Sequence, residues 1–144
     1  MVCLGNICRS PLAEGILASM VDPGKVFVDS AGTADYHIGR PPDPRSVALA
    51  RERGLDLGRQ RCRSVTKADL GEFDHIYAMD RMNHAALLRL AGNPQQAEKI
   101  SLIMEAGGLG PKEVPDPYHG DHRDFEKVYE ILEKACGAIA KKLN

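Results

Sequence analysis

Short apolar segments alternate with helical patterns along the chain, and this order restricts the possible folds more than any other feature. Residues 26–28, 73–79 and 99–103 have the length and apolar character of buried strands. Helical patterns lie between them, one of them at residues 82–91, and the last carries apolar side chains at helical spacing between residues 125 and 143. The order predicts an α/β fold in which a parallel sheet has helices on both faces.

Capping residues indicate where the first two helices begin. Ser10 can cap a first helix with its hydroxyl, and Pro11 suits the first helical position, where no backbone N–H is needed. Asp43 and Pro44 open a second helix in the same way. Ligands of parallel sheets bind beyond the carboxyl ends of the strands. The turn at residues 3–10 is therefore predicted to lie at the binding edge of the sheet.

The composition predicts a single domain, residues 1–144. With 43% hydrophobic residues, a chain of this length can bury one core but not two. Its 19 Lys and Arg residues nearly balance 20 Asp and Glu residues, so no overall charge attracts nucleic acid or an anionic membrane. The chain has neither an apolar run of transmembrane length nor a signal peptide, which predicts a cytoplasmic protein whose four cysteines stay reduced.

Residues 3–10 read Cys-Leu-Gly-Asn-Ile-Cys-Arg-Ser and join a strand end to a helix start. Successive backbone N–H groups in such a turn converge on an oxyanion, and the helix adds the positive end of its dipole. The same field favours the thiolate form of Cys3. Arg9 supplies a planar fork that matches two phosphate oxygens, and Gly5 allows a close turn. The segment therefore predicts an anion site that contains a reactive thiol.

This loop resembles the phosphate-binding loop of the low-molecular-weight protein tyrosine phosphatases. Residues 29–33, 39–45 and 116–118 resemble three further segments of that family, and the similarity extends from Met1 to the final helix. The resemblance implies a three-layer, four-stranded parallel sheet with helices on both faces and the Cys-x5-Arg phosphate loop after the first strand. It also implies hydrolysis of phosphotyrosine and small aryl phosphates through a cysteinyl-phosphate, with no metal and no other cofactor.

The same resemblance assigns roles to particular residues. Cys3 attacks phosphorus as a thiolate, while Arg9 and the loop amides hold the equatorial oxygens of the transition state. Asp116 gives a proton to the phenolate leaving group and then takes one from the water that hydrolyses the intermediate. The implied phosphate-binding residues are Leu4, Gly5, Asn6, Ile7, Cys8, Arg9 and Ser10.

Side chains around the loop complete the expected site. Ser10 would hydrogen-bond the Cys3 sulfur and make it a better leaving group, while Asn6 and Ser30 would brace each other and hold the loop. Gln60 stands near a position where animal members commonly have histidine, so the wider hydrogen-bond network is expected to differ. The walls of a slot for a flat ring would be Leu4, Ile7, Tyr36 and Tyr118, with His119 at the rim, where many relatives carry an aromatic residue.

The cysteines outside the nucleophile position differ in setting. Cys8 shares the loop with Cys3, so it is expected to trap an oxidised Cys3 as a disulfide and spare it irreversible oxidation. Cys136 falls on the apolar face of the last helix, which predicts a core position, and Cys62 lies in an arginine-rich run. Only two residues precede the loop, which is short for a central strand and would be explained by residues missing upstream.

Related chemistries leave other functions open. Arsenate reductases of the same fold share the Cys-x5-Arg loop but need resolving cysteines, which residues 78–86 lack. Protein-arginine phosphatases tend to place Thr where Ile7 stands, and a catalytically silent phosphate-binding module would not need Asp116. Residues 59–67 alone suggest nucleic acid binding, without aromatic residues for stacking. The expected partners are phosphotyrosine-containing proteins, with a tyrosine kinase as a candidate, and neither nucleic acid nor a membrane.

Overall fold

Four short strands form a parallel sheet in the middle of the molecule: β1 (Val2–Cys3), β2 (Ala31–Gly32), β3 (Ile76–Ala78) and β4 (Ile100–Leu102). The computed structural model describes residues 1–144, and the strands lie side by side in the order β2-β1-β3-β4. Val2 pairs with Ala31 on one side and with Ala78 on the other, so β1 is central. The strands predicted at residues 73–79 and 99–103 are confirmed as β3 and β4.

Seven helices connect and cover the strands: α1 (Arg9–Ala18), α2 (Pro44–Glu52), α3 (Lys67–Glu72), α4 (Arg81–Leu90), α5 (Pro94–Glu98), α6 (Ile103–Ala106) and α7 (His122–Leu143). The side chain of Asp43 accepts the Arg45 N–H and so caps α2, as the sequence predicts. Asp121 and Asp124 form a capping box at the start of α7. None of these helices has both the length and the apolar character needed to span a lipid bilayer.

Two separate apolar clusters, one on each face of the sheet, divide the molecule into three layers. On one face, α1, α2 and α7 pack together around Leu12, Leu49 and Phe125. On the other face, Leu70 of α3 and Leu87 of α4 pack against side chains of β1, β3 and β4. Burying each side chain of this size stabilises the fold by roughly 2 kcal/mol. The predicted three-layer α/β fold, a four-stranded parallel sheet with helices on both faces, is confirmed.

The prediction of a strand at residues 26–28 is wrong. These residues form no strand, and the edge strand β2 begins at Ala31. Phe27 is 76% exposed, and its ring stacks on that of Phe73 with 6.1 Å between centroids. A Cβ on Gly32 would lie 2.8 Å from the Leu4 carbonyl oxygen, so only glycine lets the loop after β1 pass this close to β2. Ala31 and Gly32 are too small to show the apolar pattern of a strand, so the sequence predicts the strand at the neighbouring apolar residues 26–28 instead.

The start of α1 also differs from the prediction. The helix begins at Arg9, its N-cap residue is Cys8, and no side chain caps it. Ser10 lies in the first turn, fully buried, with its hydroxyl beside the Cys3 sulfur, so the predicted capping role of Ser10 is wrong. The short helices α3, α5 and α6 have no counterpart among the predicted elements, since 4 to 6 residues are too few to show a helical period.

Candidate active site

The phosphate loop, residues 3–10, runs from β1 into α1 at the carboxyl edge of the sheet. Asn6 donates its backbone N–H to Cys3 Sγ at 3.3 Å, and the Ser10 hydroxyl lies 3.0 Å from the same sulfur. The first turn of α1 begins at the end of this loop and adds unpaired N–H groups and a positive dipole end. These groups stabilise negative charge on the sulfur, or on an anion bound beside it.

Asn6 holds the loop in a conformation that few residues adopt. Its φ is 57°, in the left-handed region that asparagine tolerates better than most side chains. Its Nδ2 donates to the hydroxyls of Ser10 and Ser30 at 2.8 and 3.0 Å. Its Oδ1 accepts the Arg63 N–H at 3.0 Å, and its carbonyl accepts the Cys62 thiol at 2.9 Å. The structure thus brings together the predicted Asn6, Ser10 and Ser30, and adds two contacts that the sequence does not reveal.

Glu14 extends this network away from the loop. The Ser30 hydroxyl, which accepts from Asn6, donates to Glu14 Oε1 at 2.7 Å. Burial raises the pKa of Glu14, although the Ser30 hydrogen bond opposes this effect. A hydrogen-bonded chain therefore runs from the Cys3 sulfur through two serines and one asparagine to a carboxyl on α1. Glu14 is absent from the predicted residues, because a glutamate inside a helix usually faces solvent.

Arg9 is almost completely buried and is held by two partners outside the loop. Its Nη1 donates to Asp80 Oδ2 at 2.8 Å and to the Val114 carbonyl at 3.0 Å. Its Nη2 lies 3.7 Å from Asp116 Oδ2. The Asp80 carboxylate also caps α4 by accepting the Asn83 N–H at 2.8 Å. Asp80 is not among the predicted site residues. Its position directly after β3, at the carboxyl edge of the sheet, would have been a reason to include it.

The acid loop, residues 114–120, brings the predicted proton donor to the same place. Val114 anchors it, since its N–H donates to the Met79 carbonyl at 2.8 Å. Asp116 Oδ1 accepts the Tyr118 N–H at 3.1 Å, while Oδ2 faces Arg9. The Asp116 side chain is 46% exposed, so water can reach its carboxyl group.

A cavity of about 340 Å³ lies between the two loops and opens to solvent. Tyr36 and His37 contact each other edge-to-face on one wall, with centroids 6.3 Å apart, and Tyr118 and His119 do so on another at 4.9 Å. All of the predicted pocket residues line the cavity, and His37 is an addition. The lining residues are Cys3, Leu4, Gly5, Ile7, Cys8, Arg9, Tyr36, His37, Asp116, Tyr118 and His119.

Gln60 does not join the network around Asn6. Its Nε2 donates to the Pro11 carbonyl at 3.1 Å, and its Oε1 is buried with no partner. The segment after it supports the loop through the Cys62 thiol and the Arg63 N–H, which both bind Asn6. The Arg63 guanidinium in turn pairs with Asp29 at 3.0 Å and Asp69 at 2.9 Å. The loop is therefore braced from this side by an arginine.

All four cysteines are free thiols, and three of them have environments that keep them protonated. Burial raises the pKa of Cys8, and the charges of Asp43 and Asp116 add to this effect. Burial also raises the pKa of Cys62, and it raises that of Cys136 to about 12. Cys136 lies in the core, as predicted. Among the four sulfurs, that of Cys3 faces both a loop amide and the hydroxyl of a serine in the first turn of α1.

Comparisons with known proteins agree with this geometry. A model of the family described as "Low molecular weight phosphotyrosine protein phosphatase" matches residues 1–144. The Sus scrofa protein of that name is 37% identical over 99% of this chain and 92% of its own. A protein tyrosine phosphatase of Entamoeba histolytica superposes with a TM-score of 0.91 at 38% identity, covering 99% and 93% of the two chains. Vibrio vulnificus Wzb, solved in complex with benzylphosphonate, superposes with a TM-score of 0.88 at 33% identity, covering 99% and 95%.

Proposed function

The chain belongs to the low molecular weight phosphotyrosine protein phosphatase family, and we propose that it hydrolyses phosphotyrosine and small aryl phosphates with Cys3, Arg9 and Asp116. As a member of this family it is a hydrolase of the protein tyrosine phosphatase class. One observation carries the assignment of residues: the hydrogen-bonded Cys3 sulfur lies in a cavity that Arg9, Asp116 and two tyrosines also line.

In the first step of the proposed reaction, the phosphoryl group moves from the phenol to the enzyme. The Cys3 sulfur forms a bond to phosphorus while the bond from phosphorus to the phenolic oxygen breaks. Asp116 gives that oxygen its proton, so the product leaves as a neutral phenol. Arg9 and the amides of the phosphate loop bind the non-bridging oxygens and stabilise the charge of the transition state. Asp80 and the Val114 carbonyl keep the guanidinium of Arg9 in place for this contact.

In the second step, water hydrolyses the cysteinyl-phosphate. Asp116, now a carboxylate, takes a proton from water, whose oxygen bonds to phosphorus while the bond between sulfur and phosphorus breaks. Inorganic phosphate leaves and Cys3 returns as a thiolate. Because Asn6 donates to the Ser10 oxygen, the Ser10 hydroxyl hydrogen is available to the departing sulfur. Arg9 and the loop amides supply the positive charge that a metal ion would otherwise provide, so we propose no metal and no cofactor.

The walls of the cavity favour an aromatic leaving group. Leu4, Ile7, Tyr36 and Tyr118 offer apolar surface on which a phenyl ring can pack, and His119 is at the rim. The benzylphosphonate complex of Vibrio vulnificus Wzb supports this assignment, because that ligand joins a phosphate-like group to an aromatic ring. The proposed phosphate-binding residues are Leu4, Gly5, Asn6, Ile7, Cys8, Arg9 and Ser10, with Asn6, Ser10 and Ser30 as loop support.

The proposed biological setting follows from this chemistry. Phosphotyrosine-containing proteins are the proposed substrates, and a tyrosine kinase that makes them is a candidate partner. We place the enzyme in the cytoplasm, since its four cysteines are free. We also propose that residues 1–144 form a single domain, since two apolar clusters share the one sheet.

Cys8 is the proposed redox partner of Cys3, since both line one cavity. Peroxide converts the Cys3 thiolate to a sulfenic acid, and the Cys8 thiol then forms a disulfide with it and releases water. Added thiol reduces the disulfide and restores Cys3. We expect a peroxide-treated Cys8→Ser variant to regain less activity with added thiol than the parent regains. Equal recovery would count against this role.

Substrate selectivity tests the proposed function most simply. The parent, Cys3→Ser and a control Cys136→Ser are assayed with an aryl phosphate, a phosphotyrosine peptide, phosphoserine and phosphoarginine, with a chelator present. We expect the parent and the control to hydrolyse the aryl phosphate and phosphotyrosine, and Cys3→Ser to hydrolyse neither. Preference for phosphoarginine, or full activity of Cys3→Ser, would contradict the proposal.

A further inference from the structure

The side chain of Arg45, in the first turn of α2, contacts both the backbone of the acid loop and the ring of Tyr118 in that loop. Its Nη2 donates to the Tyr118 carbonyl at 2.9 Å, and its Nη1 donates to the Gly120 carbonyl at 3.5 Å. The guanidinium carbon lies 5.6 Å from the centre of the Tyr118 ring and 4.6 Å from that of Phe125 in α7. A single side chain thus binds the loop that carries Asp116 from two sides.

Asp43 fixes the orientation of this guanidinium. Arg45 Nε donates to Asp43 Oδ1 at 3.0 Å and Nη2 donates to Oδ2 at 2.9 Å, which is a two-point contact between planar groups. Burial alone would raise the pKa of Asp43, but the hydrogen bonds and charge of Arg45 outweigh it and lower this pKa. The same pair raises the pKa of Arg45. Each group therefore stabilises the charged form of the other.

The first turn of α2 is also attached to the phosphate loop. The Asp43 N–H donates to the Ile7 carbonyl at 2.8 Å, and the Ser46 hydroxyl donates to the Cys8 carbonyl at 3.3 Å. Asp43 and Arg45 consequently form a bridge, with one end on the loop that binds phosphate and the other on the loop that carries the acid. This bridge adds to the direct contacts between the two loops, in which Arg9 donates to the Val114 carbonyl and approaches Asp116.

We propose that Arg45 is a positioning residue, which holds the acid loop at the height where Asp116 reaches the phenolic oxygen. The inference rests on the proposed function, in which Asp116 is the proton donor. Apart from Arg45, the partners of Asp116 and Gly120 are the Tyr118 N–H, the Pro117 carbonyl and the Arg9 guanidinium, which lies 3.7 Å from Asp116. Without the Arg45 guanidinium, the section beyond Val114 would be held by the start of α7 and by the contact between Arg9 and Asp116. A displacement of about 1 Å is enough to cost a large part of a proton transfer.

The test separates positioning of the acid from general damage. Arg45→Met keeps an apolar stem against the two rings but removes the hydrogen bonds and the charge. The control is Arg53→Met, because Arg53 is the C-cap residue of the same helix and contacts α7 instead of the two loops, 4.8 Å from the Tyr129 ring and 3.9 Å from Glu126. We measure kcat/KM with phenyl phosphate, whose leaving group needs a proton, and with dinitrophenyl phosphate, whose leaving group does not. Inhibition by inorganic phosphate reports on the phosphate loop separately.

We expect Arg45→Met to lose about 10- to 100-fold with phenyl phosphate and less than about threefold with dinitrophenyl phosphate. Inhibition by phosphate should stay within about twofold, and Arg53→Met should match the parent on both substrates. Asp116→Asn should show the same selectivity with a larger loss. In the double variant, adding Arg45→Met to Asp116→Asn should cost almost nothing more, because no acid remains to be positioned.

Two results would overturn the inference: an equal loss on both substrates, or a further loss of about 10-fold when Arg45→Met is added to Asp116→Asn. Either would show that Arg45 acts on the fold or on the phosphate loop. The Asp116→Asn variant distinguishes the two levels of the account. If its loss is not selective for phenyl phosphate, the proposed acid is wrong and the inference fails with it. If its loss is selective and that of Arg45→Met is not, the inference alone fails.

Discussion

The phosphate loop and the acid loop meet at one cavity but are built in opposite ways. In the phosphate loop, Cys3, Asn6, Arg9 and Ser10 are all at most 3% exposed, and each makes at least one side-chain hydrogen bond. In the acid loop, Asp116 is 46% exposed and makes one hydrogen bond, to the N–H of a residue two positions away. The phosphate loop is buried and tied to several parts of the molecule, while the acid is exposed and has few partners.

The difference matches what each loop does in the proposed reaction. Stabilising a phosphoryl transition state requires dipoles that already point at it, so any motion of the phosphate loop weakens catalysis. An acid that acts as the base in the second step must be reached by the water that hydrolyses the intermediate, and so it must stay accessible. The cost of that access is a loop with little internal support. Changes in the two loops should therefore produce different kinetic patterns.

The largest expected effect is that of Arg9→Lys in the phosphate loop. A lysine cannot contact Asp80, the Val114 carbonyl and a phosphate group at once, because it has no planar fork. We expect kcat/KM to fall about 10³-fold, by similar factors for phenyl and dinitrophenyl phosphate, since the lost contact stabilises phosphorus oxygens rather than the leaving group. Thermal unfolding monitors the fold. A loss confined to phenyl phosphate would contradict the division between the loops.

Ser10→Ala is expected to act on the second chemical step. Without the hydroxyl at 3.0 Å, the sulfur is a poorer leaving group and the cysteinyl-phosphate breaks down more slowly. We expect kcat to fall about 10- to 100-fold, with a smaller change in kcat/KM and a burst of phenol in the first turnover. Stopped-flow absorbance measures the burst. Single-turnover and steady-state rates equal to those of the parent would rule out this role.

The smallest expected effect concerns the ion pair of Arg63 and Asp69, which lies next to the contact between Arg63 and Asn6. Burial alone would raise the pKa of Asp69, but hydrogen bonds from Arg63 and Thr66 outweigh burial, so the pKa is lower than usual. An acid whose pKa is lower in the folded state stabilises the fold above its unfolded pKa, about 3.9, and loses this effect as pH falls through the folded value. We expect Asp69→Asn to lower the free energy of unfolding at pH 7 by less than about 1 kcal/mol, because Arg63 is partly exposed. Urea unfolding at pH 7 and pH 3 should show this difference shrinking in acid, and a constant difference would contradict the assignment.

The sequence predicts best where the structure depends on local rules. The cap of α2 by Asp43, the helix α4 and the long helix α7 follow from capping and periodicity. The phosphate loop can also be recognised from the sequence, because its residues from Cys3 to Ser10 are contiguous. All five predicted pocket residues come from the family resemblance, since no local rule brings Tyr36 to Tyr118.

The failures involve contacts between distant parts of the chain. Arg9 and Asp80 are 71 residues apart, and nothing local indicates that they pair. Serine is a residue type that often caps helices, but the Ser10 hydroxyl contacts the Cys3 sulfur and does not cap α1. Residues 26–28 have the composition of a strand, yet the edge of the sheet is formed by Ala31 and Gly32, because the phosphate loop needs the space.

Trapping the phosphorylated enzyme would identify the nucleophile. Ser10→Ala and the parent are mixed with an aryl phosphate and quenched in acid within the first turnovers, and the cysteine-containing peptides are identified by mass spectrometry. The account predicts phosphate on the Cys3 sulfur, more of it in Ser10→Ala than in the parent, and none on Cys8, Cys62 or Cys136. Phosphate on another residue, or steady turnover with no phosphate on Cys3 in either protein, would contradict it.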